Sequence, residues 1–231
     1  AGIKRAMDIS DRVRLGKTDA WPGKWGGQHI VLVRSGVGKQ RAEDSTLQVI
    51  DHFQPKVLIS TGYAGAVQPE LNVGDLVIAD SILDVNGKED RKYFPDPNWL
   101  DRARSIPCSD GIKTVVGGLL TVNTVIHQPA IKWELGKNYC VQAVEMETSA
   151  IARVAEEKGL PLLSVRVISD SIEQELLDSS SFLGSDGEIS TLKAGWYVLT
   201  HPGSIKSALS LRAQTQFATQ SMTRFLSDLL S

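Results

Sequence analysis

The stretch from Ala143 to Ser171, AVEMETSAIARVAEEKGLPLLSVRVISDS, constrains the fold more than any other part of the chain. It predicts a helix starting at Glu145-Met146-Glu147. The apolar positions Met146, Ala150, Ile151 and Val154 recur at three- and four-residue spacing, as one buried helix face requires. Gly159 and Pro161 stop that helix. The run Leu162-Leu163-Ser164-Val165-Arg166-Val167-Ile168 is short, β-branched and almost continuously apolar, which predicts a strand buried on both faces. Helix, tight turn and buried strand are half of an α/β unit. In such sheets ligands gather at the carboxyl ends of the strands, where Ser169-Asp170 stands.

The rest of the chain repeats this alternation. Ala1 to Leu15 is expected to form a short helix, and Trp21 to Gly27 (WPGKWGG) a turn. His29 to Val33 reads as a strand leading into the Gly-rich turn Ser35-Gly36-Val37-Gly38-Lys39, and a helix is predicted from Gln40 to Phe53. Strand, Gly-rich turn and helix can present backbone N–H groups to an anion or polar ligand edge, and a plain tight turn fits the G-x-G as well. The turn lacks the third glycine of a dinucleotide fingerprint and the Lys-Ser/Thr pair of a P-loop. Val57 to Ser60 reads as a strand, Thr61 to Ala66 as a second Gly-rich turn, and Leu76 to Asp80 as a third buried strand.

Gly87 to Pro97 is expected at the surface, with a short helix over Asp96 to Arg104. Val115 to Val122 reads as a strand bent or bulged at its glycines. Ile131 to Leu135 is predicted helical and Val141 to Val144 a short strand. Glu173 to Glu188, acidic and serine-rich, has the composition of a flap. Thr191 to Ser231 reads as two helical pieces broken at Pro202-Gly203. The class is therefore α/β with a mainly parallel central sheet, organised as one domain over 1–231.

Composition narrows the function. A net charge of −2 and a pI near 6.1 give no footprint for nucleic acid or an anionic membrane surface. Cys108 and Cys140 are too few for a disulfide framework, and a reducing cytoplasmic setting is expected. The cysteines and four histidines lack metal-ligand spacing, so neither a metal nor a cofactor is expected. Arg166 inside an apolar strand calls for a carboxylate or pocket partner, because burying it unpaired is costly. Glu145 and Glu147 could simply favour a helix dipole, and Asp170 could cap the segment after it.

Four pieces in series resemble the family of purine nucleoside phosphorylases and 5′-methylthioadenosine/S-adenosylhomocysteine nucleosidases. They are Ser35-Gly36-Val37-Gly38-Lys39, Thr61-Gly62-Tyr63-Ala64-Gly65 with Val73-Gly74-Asp75 after it, Val144-Glu145-Met146-Glu147, and Val165-Arg166-Val167-Ile168-Ser169-Asp170. The resemblance implies a three-layer α/β/α sandwich around a twisted, mixed central sheet that partly closes into a barrel. It implies that Glu147 accepts hydrogen bonds from the ribose hydroxyls and that Met146 packs on the sugar. It sets Asp170 by N7 of the purine as catalytic acid, with Ser169 holding the base loop. Val125 and Ile126 fall at the base-stacking wall, and Gly65 and Val37 line the pocket floor. Tyr63, Glu145 and Arg166 complete the expected substrate-binding set.

The chemistry suits these residue types. Cleaving a ribosyl–purine bond builds positive charge on the sugar and negative charge on the base. A carboxyl group near N7 can protonate the leaving base, and a carboxylate at the ribose edge favours an oxocarbenium-like centre. Hydrolysis is expected, because the position of the phosphorylase branch's phosphate arginine before the second Gly turn is Ser60, followed by Thr61; Arg34 beside the first Gly turn is the alternative phosphate cation, in a neighbourhood that resembles the nucleosidase branch. Phosphorolysis and nucleoside binding without turnover are the alternatives. The nucleosidase branch activates water with a glutamate at the end of a first strand. No glutamate precedes Glu43, so that strand and its glutamate are expected upstream of Ala1. A purine nucleoside is the expected ligand and a homo-oligomer, most simply a dimer, the expected assembly.

Overall fold

The computed structural model describes residues 2–85, 90–107, 111–175 and 204–231, with backbone alone over 204–212. Two sheets organise it. The smaller is antiparallel and built from β1 (Asp8–Ile9), β2 (Val13–Leu15), β3 (Thr18–Trp25) and β4 (Gln28–Arg34), with β3 paired to the other three. Helix α1 (Gly2–Ala6) precedes it, and α2 (Lys39–Phe53) follows β4.

The larger sheet contains β5 (Leu58–Ala66), β6 (Leu76–Asp84), β7 (Arg91–Tyr93), β8 (Thr114–Thr121), β9 (Val141–Glu145) and β10 (Leu162–Asp170). Their order is β10-β5-β9-β8-β6-β7, and β10 also pairs with β6. That extra pairing closes five strands into a ring, the partly closed barrel expected from the resemblance. The β10–β5, β6–β8 and β8–β9 pairs are parallel; β5–β9, β6–β7 and β10–β6 are antiparallel. The sheet is thus mixed, as expected.

Helices α3 (Pro97–Arg104) and α6 (Ser204–Leu230) pack on one face, and α5 (Thr148–Lys158) on the other. Strand alternation divides the core between them. Leu163, Val165 and Val167 of β10 join Leu76 and Ile78 of β6 under Met222, Phe225 and Leu229 of α6. Leu162 and Ile168 join Val77, Ala79 and Ile82 under Ala152 and Ala155 of α5. This two-sided burial is what the continuous apolar run in β10 requires. A third cluster, Val67, Leu120, Val141 and Val144, is covered by Ile126 and by Leu135 of α4 (Pro129–Tyr139).

The predicted stops hold. Gly159 ends α5 in the left-handed conformation at φ 63°. Asp96 caps α3 by accepting from the backbone N–H groups of Asn98 (3.0 Å) and Trp99 (3.1 Å). The glycines of β8 do mark an irregularity, since its register shifts between Gly118 and Leu119.

Four local expectations are corrected. Ala1 to Leu15 is not one helix: α1 ends at Ala6, and β1 and β2 follow because their edges pair with β3. Trp21 to Gly27 is not a turn: residues through Trp25 lie in β3 despite Pro22, and only Gly26-Gly27 turn, at φ 56° and 80°. Thr61 to Ala66 is the second half of β5, not a Gly-rich turn, because β10 pairs with it residue by residue. Glu145 ends strand β9, and α5 starts only at Thr148, so the acidic triplet bridges strand to helix. The expected flap and the Pro202-Gly203 break fall largely outside the described residues; α6 is continuous from Ser204.

Candidate active site

Glu145 is the hub of one half of the site. Its side chain is 1% exposed and its carboxylate accepts five hydrogen bonds. Oε1 accepts from Thr121 Oγ1 (2.6 Å). Oε2 accepts from the backbone N–H of Glu147 (2.9 Å) and of Thr148 (2.8 Å), Thr148 Oγ1 (2.8 Å), and Arg166 Nη2 (2.7 Å). It therefore caps α5 from the end of β9, taking N–H groups that the helix leaves unpaired. Arg166 reaches it from β10 across β5. The crossing is possible because Gly62 lies between them, and a Cβ there would collide with Arg166 Nη1. Arg166 also donates to Ser60 Oγ (3.1 Å) and Thr148 Oγ1 (2.6 Å).

This network fixes the backbone of Glu147, which is half-buried at the mouth of α5. Its Oε1 accepts the N–H of Gly38 at 2.8 Å, joining the first Gly-rich turn to the acidic triplet. Gly38 needs its glycine identity here: it sits at φ 91°, where an L side chain is strained. Burial raises the Glu147 carboxyl above its ordinary value, and the neighbouring Glu145 charge adds to the rise; Arg166 and the Gly38 N–H oppose it. Lys39, next in the turn, pairs with Asp84 Oδ1 at 2.5 Å, and Ser149 Oγ donates to Asp84 Oδ2 at 2.9 Å. The starts of α2 and α5 are thus tied to the end of β6.

Asp170 is the second half. It ends β10 at 5% exposure. Oδ1 accepts from Ser169 Oγ (2.7 Å), and Oδ2 accepts from Lys132 Nζ of α4 (2.6 Å). Gly65 faces it, and a Cβ there would come to 2.8 Å from Oδ2. Two glycines of β5 thus make room for two charged side chains of β10. Lys132 was not legible in the sequence: a lysine in the first turn of a surface-length helix carries no signal that distinguishes it from a solvated one.

Strand register relates the two halves. Asp170 pairs with Gly65, and Gly65 with Val144, so Asp170 and the residue before Glu145 stand abreast on three adjacent strands. At about 4.8 Å per strand, that is a separation of roughly 10 Å between the two outer backbones, with β5 between them. Val37 is half-buried in the turn before Gly38, and Met146 is half-buried between the two glutamates. Val125 and Ile126 are half-buried in the loop between β8 and α4. Tyr63 is 44% exposed, and its hydroxyl bonds Thr219 Oγ1 at 2.6 Å. A separate open depression lined by Leu15, Gly16, Gln48, Asp51 and His52 lies toward the far end of α2 from Gly38, about 20 Å away at 1.5 Å per residue. Among the described residues no group of three or more His, Cys, Asp or Glu is placed to hold a metal, and no helix is long and apolar enough to cross a membrane.

A sequence profile of the phosphorylase superfamily matches residues 6–190. The 5′-methylthioadenosine/S-adenosylhomocysteine nucleosidase of Listeria welshimeri is 33% identical over 192 residues, covering 75% of this chain and 82% of that protein. Among solved structures, the nucleosidase of the same name from Neisseria meningitidis, in complex with methylthio-immucillin-A, superposes with a TM-score of 0.75 at 21% identity, covering 98% of this chain and 91% of that one. Futalosine hydrolase of Helicobacter pylori superposes equally well, with a TM-score of 0.75 at 18% identity and coverage of 99% and 91%. At these identities the two structures speak for the fold alone.

Proposed function

This chain belongs to the phosphorylase superfamily, and from that premise we propose that it is an N-ribosyl hydrolase of purine nucleosides such as 5′-methylthioadenosine or S-adenosylhomocysteine. It releases adenine and a ribose derivative. The observation that carries the reading is a pair of carboxylates set from neighbouring strands, Glu147 after β9 on the Gly38 N–H and Asp170 at the end of β10 over Gly65.

In this reading Glu147 holds the ribose hydroxyls with Met146 packed on the sugar. Asp170 protonates N7 as the glycosidic electron pair moves onto the base. Val125 and Ile126 wall the base, Gly65 and Val37 floor the pocket, Ser169 steadies Asp170, and Tyr63 stands at the rim. Glu145 and Arg166, spent on each other, serve by fixing the start of α5 rather than by touching the ligand. Anionic Glu147 favours the developing oxocarbenium charge.

Hydrolysis is favoured over phosphorolysis because two of the cations near the site are committed to carboxylates. Lys39 is paired with Asp84 and Arg166 with Glu145, while Ser60 and Thr61 bond Arg166 and Met222. The same proposal includes a homodimer, which sedimentation velocity tests.

The test supplies the full-length protein with 5′-methylthioadenosine, S-adenosylhomocysteine, adenosine and inosine, with and without phosphate. Free adenine and unphosphorylated sugar at a rate independent of phosphate are expected. Asp170→Asn lowers that rate by about 10²–10⁴-fold, the usual share of a general acid. A phosphorylated sugar makes the protein a phosphorylase. Adenine binding by calorimetry with no turnover makes it a binding protein.

A further inference from the structure

Lys132 has 0% exposure, the most completely enclosed ionisable residue among those described. An ammonium in such a place must be matched proton for proton, and it is. Nζ donates to Asp170 Oδ2 (2.6 Å), Ser171 O (2.9 Å) and Gln174 O (3.1 Å). It projects from α4, directly after the loop of Val125 and Ile126, and grips the segment after β10. The two stretches assigned above to the base are thus joined at one atom.

The geometry also bears on where a proton can come from. Both oxygens of Asp170 are occupied by donors, Oδ1 by the Ser169 hydroxyl and Oδ2 by the Lys132 ammonium. A serine hydroxyl is a very weak acid, whereas an ammonium is a competent one. Among the side chains bonded to Asp170, Lys132 is therefore the group able to load it with a proton.

We propose that Lys132 is a positioning residue that holds Asp170 and supplies the proton that Asp170 passes to the leaving purine; this rests on the nucleoside cleavage proposed above. The proton leaves Nζ for the carboxylate, giving a neutral amine and a neutral acid. That acid protonates N7 while the C1′–N9 electron pair goes to the base. Water adds its hydroxyl to C1′ and its second proton is released to solvent; after the base leaves, a proton taken up at Asp170 passes back to the amine. Base and free sugar form with no net change in the enzyme.

Lys132→Met and Lys132→Arg in the full-length protein test this, each assayed with 5′-methylthioadenosine and with p-nitrophenyl β-ribofuranoside. The nitrophenolate leaves as a stable anion and needs no proton. Expected is a fall in kcat on the nucleoside of about 100-fold or more in both variants, at least tenfold larger than the fall on the nitrophenyl substrate. Arginine retains the ion pair but does not surrender a proton at working pH, so it does not rescue. Wild-type kcat in Lys132→Arg, or equal losses on both substrates, overturns the proposal and leaves Lys132 a packing residue. If Lys132→Met lacks a cooperative melt, the arginine variant decides alone. A wild-type protein that cleaves no nucleoside refutes the hydrolase reading itself, and this proposal with it.

Discussion

Replacing Glu145 by glutamine isolates the buried ion pair at the root of α5. The two side chains have the same shape, so no cavity opens and the change is one of charge alone. Arg166, 5% exposed at its side chain, loses its carboxylate and stays buried. The five donors converging on Glu145 would then face an amide that accepts through one oxygen only. Removing one partner of a buried pair costs about 3–5 kcal/mol. Unfolding entropy of about 2.1 cal/mol/K per residue comes to roughly 0.5 kcal/mol/K for 231 residues. The expected fall in Tm is therefore about 6–10 °C, read by circular dichroism at neutral pH. The double variant Glu145→Met with Arg166→Met removes both charges and should recover part of that loss, because apolar replacement of a whole buried pair is often neutral. A Tm within about 2 °C of wild type for Glu145→Gln, or a double variant whose loss is the sum of the single ones, would refute the claim that this pair anchors the helix.

Glu147→Gln should lower kcat/KM about ten- to a hundredfold, the worth of a hydrogen bond to a charged group, in an adenine-release assay. It should also flatten the pH dependence of stability. Because the folded carboxyl titrates above its ordinary value of 4.5, the folded protein holds more protons than the unfolded one just above that value. Wild-type stability therefore falls as pH rises through that window, and the glutamine variant, lacking this slope, should be relatively more stable at neutral pH; urea melts at acid and neutral pH check the sign. Gly38→Ala places a methyl group in open space, so its cost is backbone strain at φ 91°, about 1–3 kcal/mol or roughly 2–6 °C in Tm. Its activity should fall as well, since the Gly38 N–H is aimed at Glu147 only in that conformation.

The sequence by itself determined the alternation of strands and helices from β4 to β10, β7 apart, and the two-faced burial of the central strands; it missed β1 to β3. The apolar run ending at Ile168 is too short for a helix and too continuous for a solvated strand, and Gly159 and Asp96 mark helix ends through local backbone chemistry. These signals are short-range, so they survive without knowledge of the partner strands. Pairing is long-range, and it overrode local reading wherever the two conflicted. Thr61 to Ala66 looks like a turn by composition, yet it is held extended by β10 along its length, and its glycines exist for clearance beneath Arg166 and Asp170. Tertiary structure alone joined Glu145 to Arg166, twenty-one residues apart across an intervening strand. It alone sealed Lys132 against Asp170, because what surrounds an ammonium depends on which segments close over it and not on its neighbours in sequence.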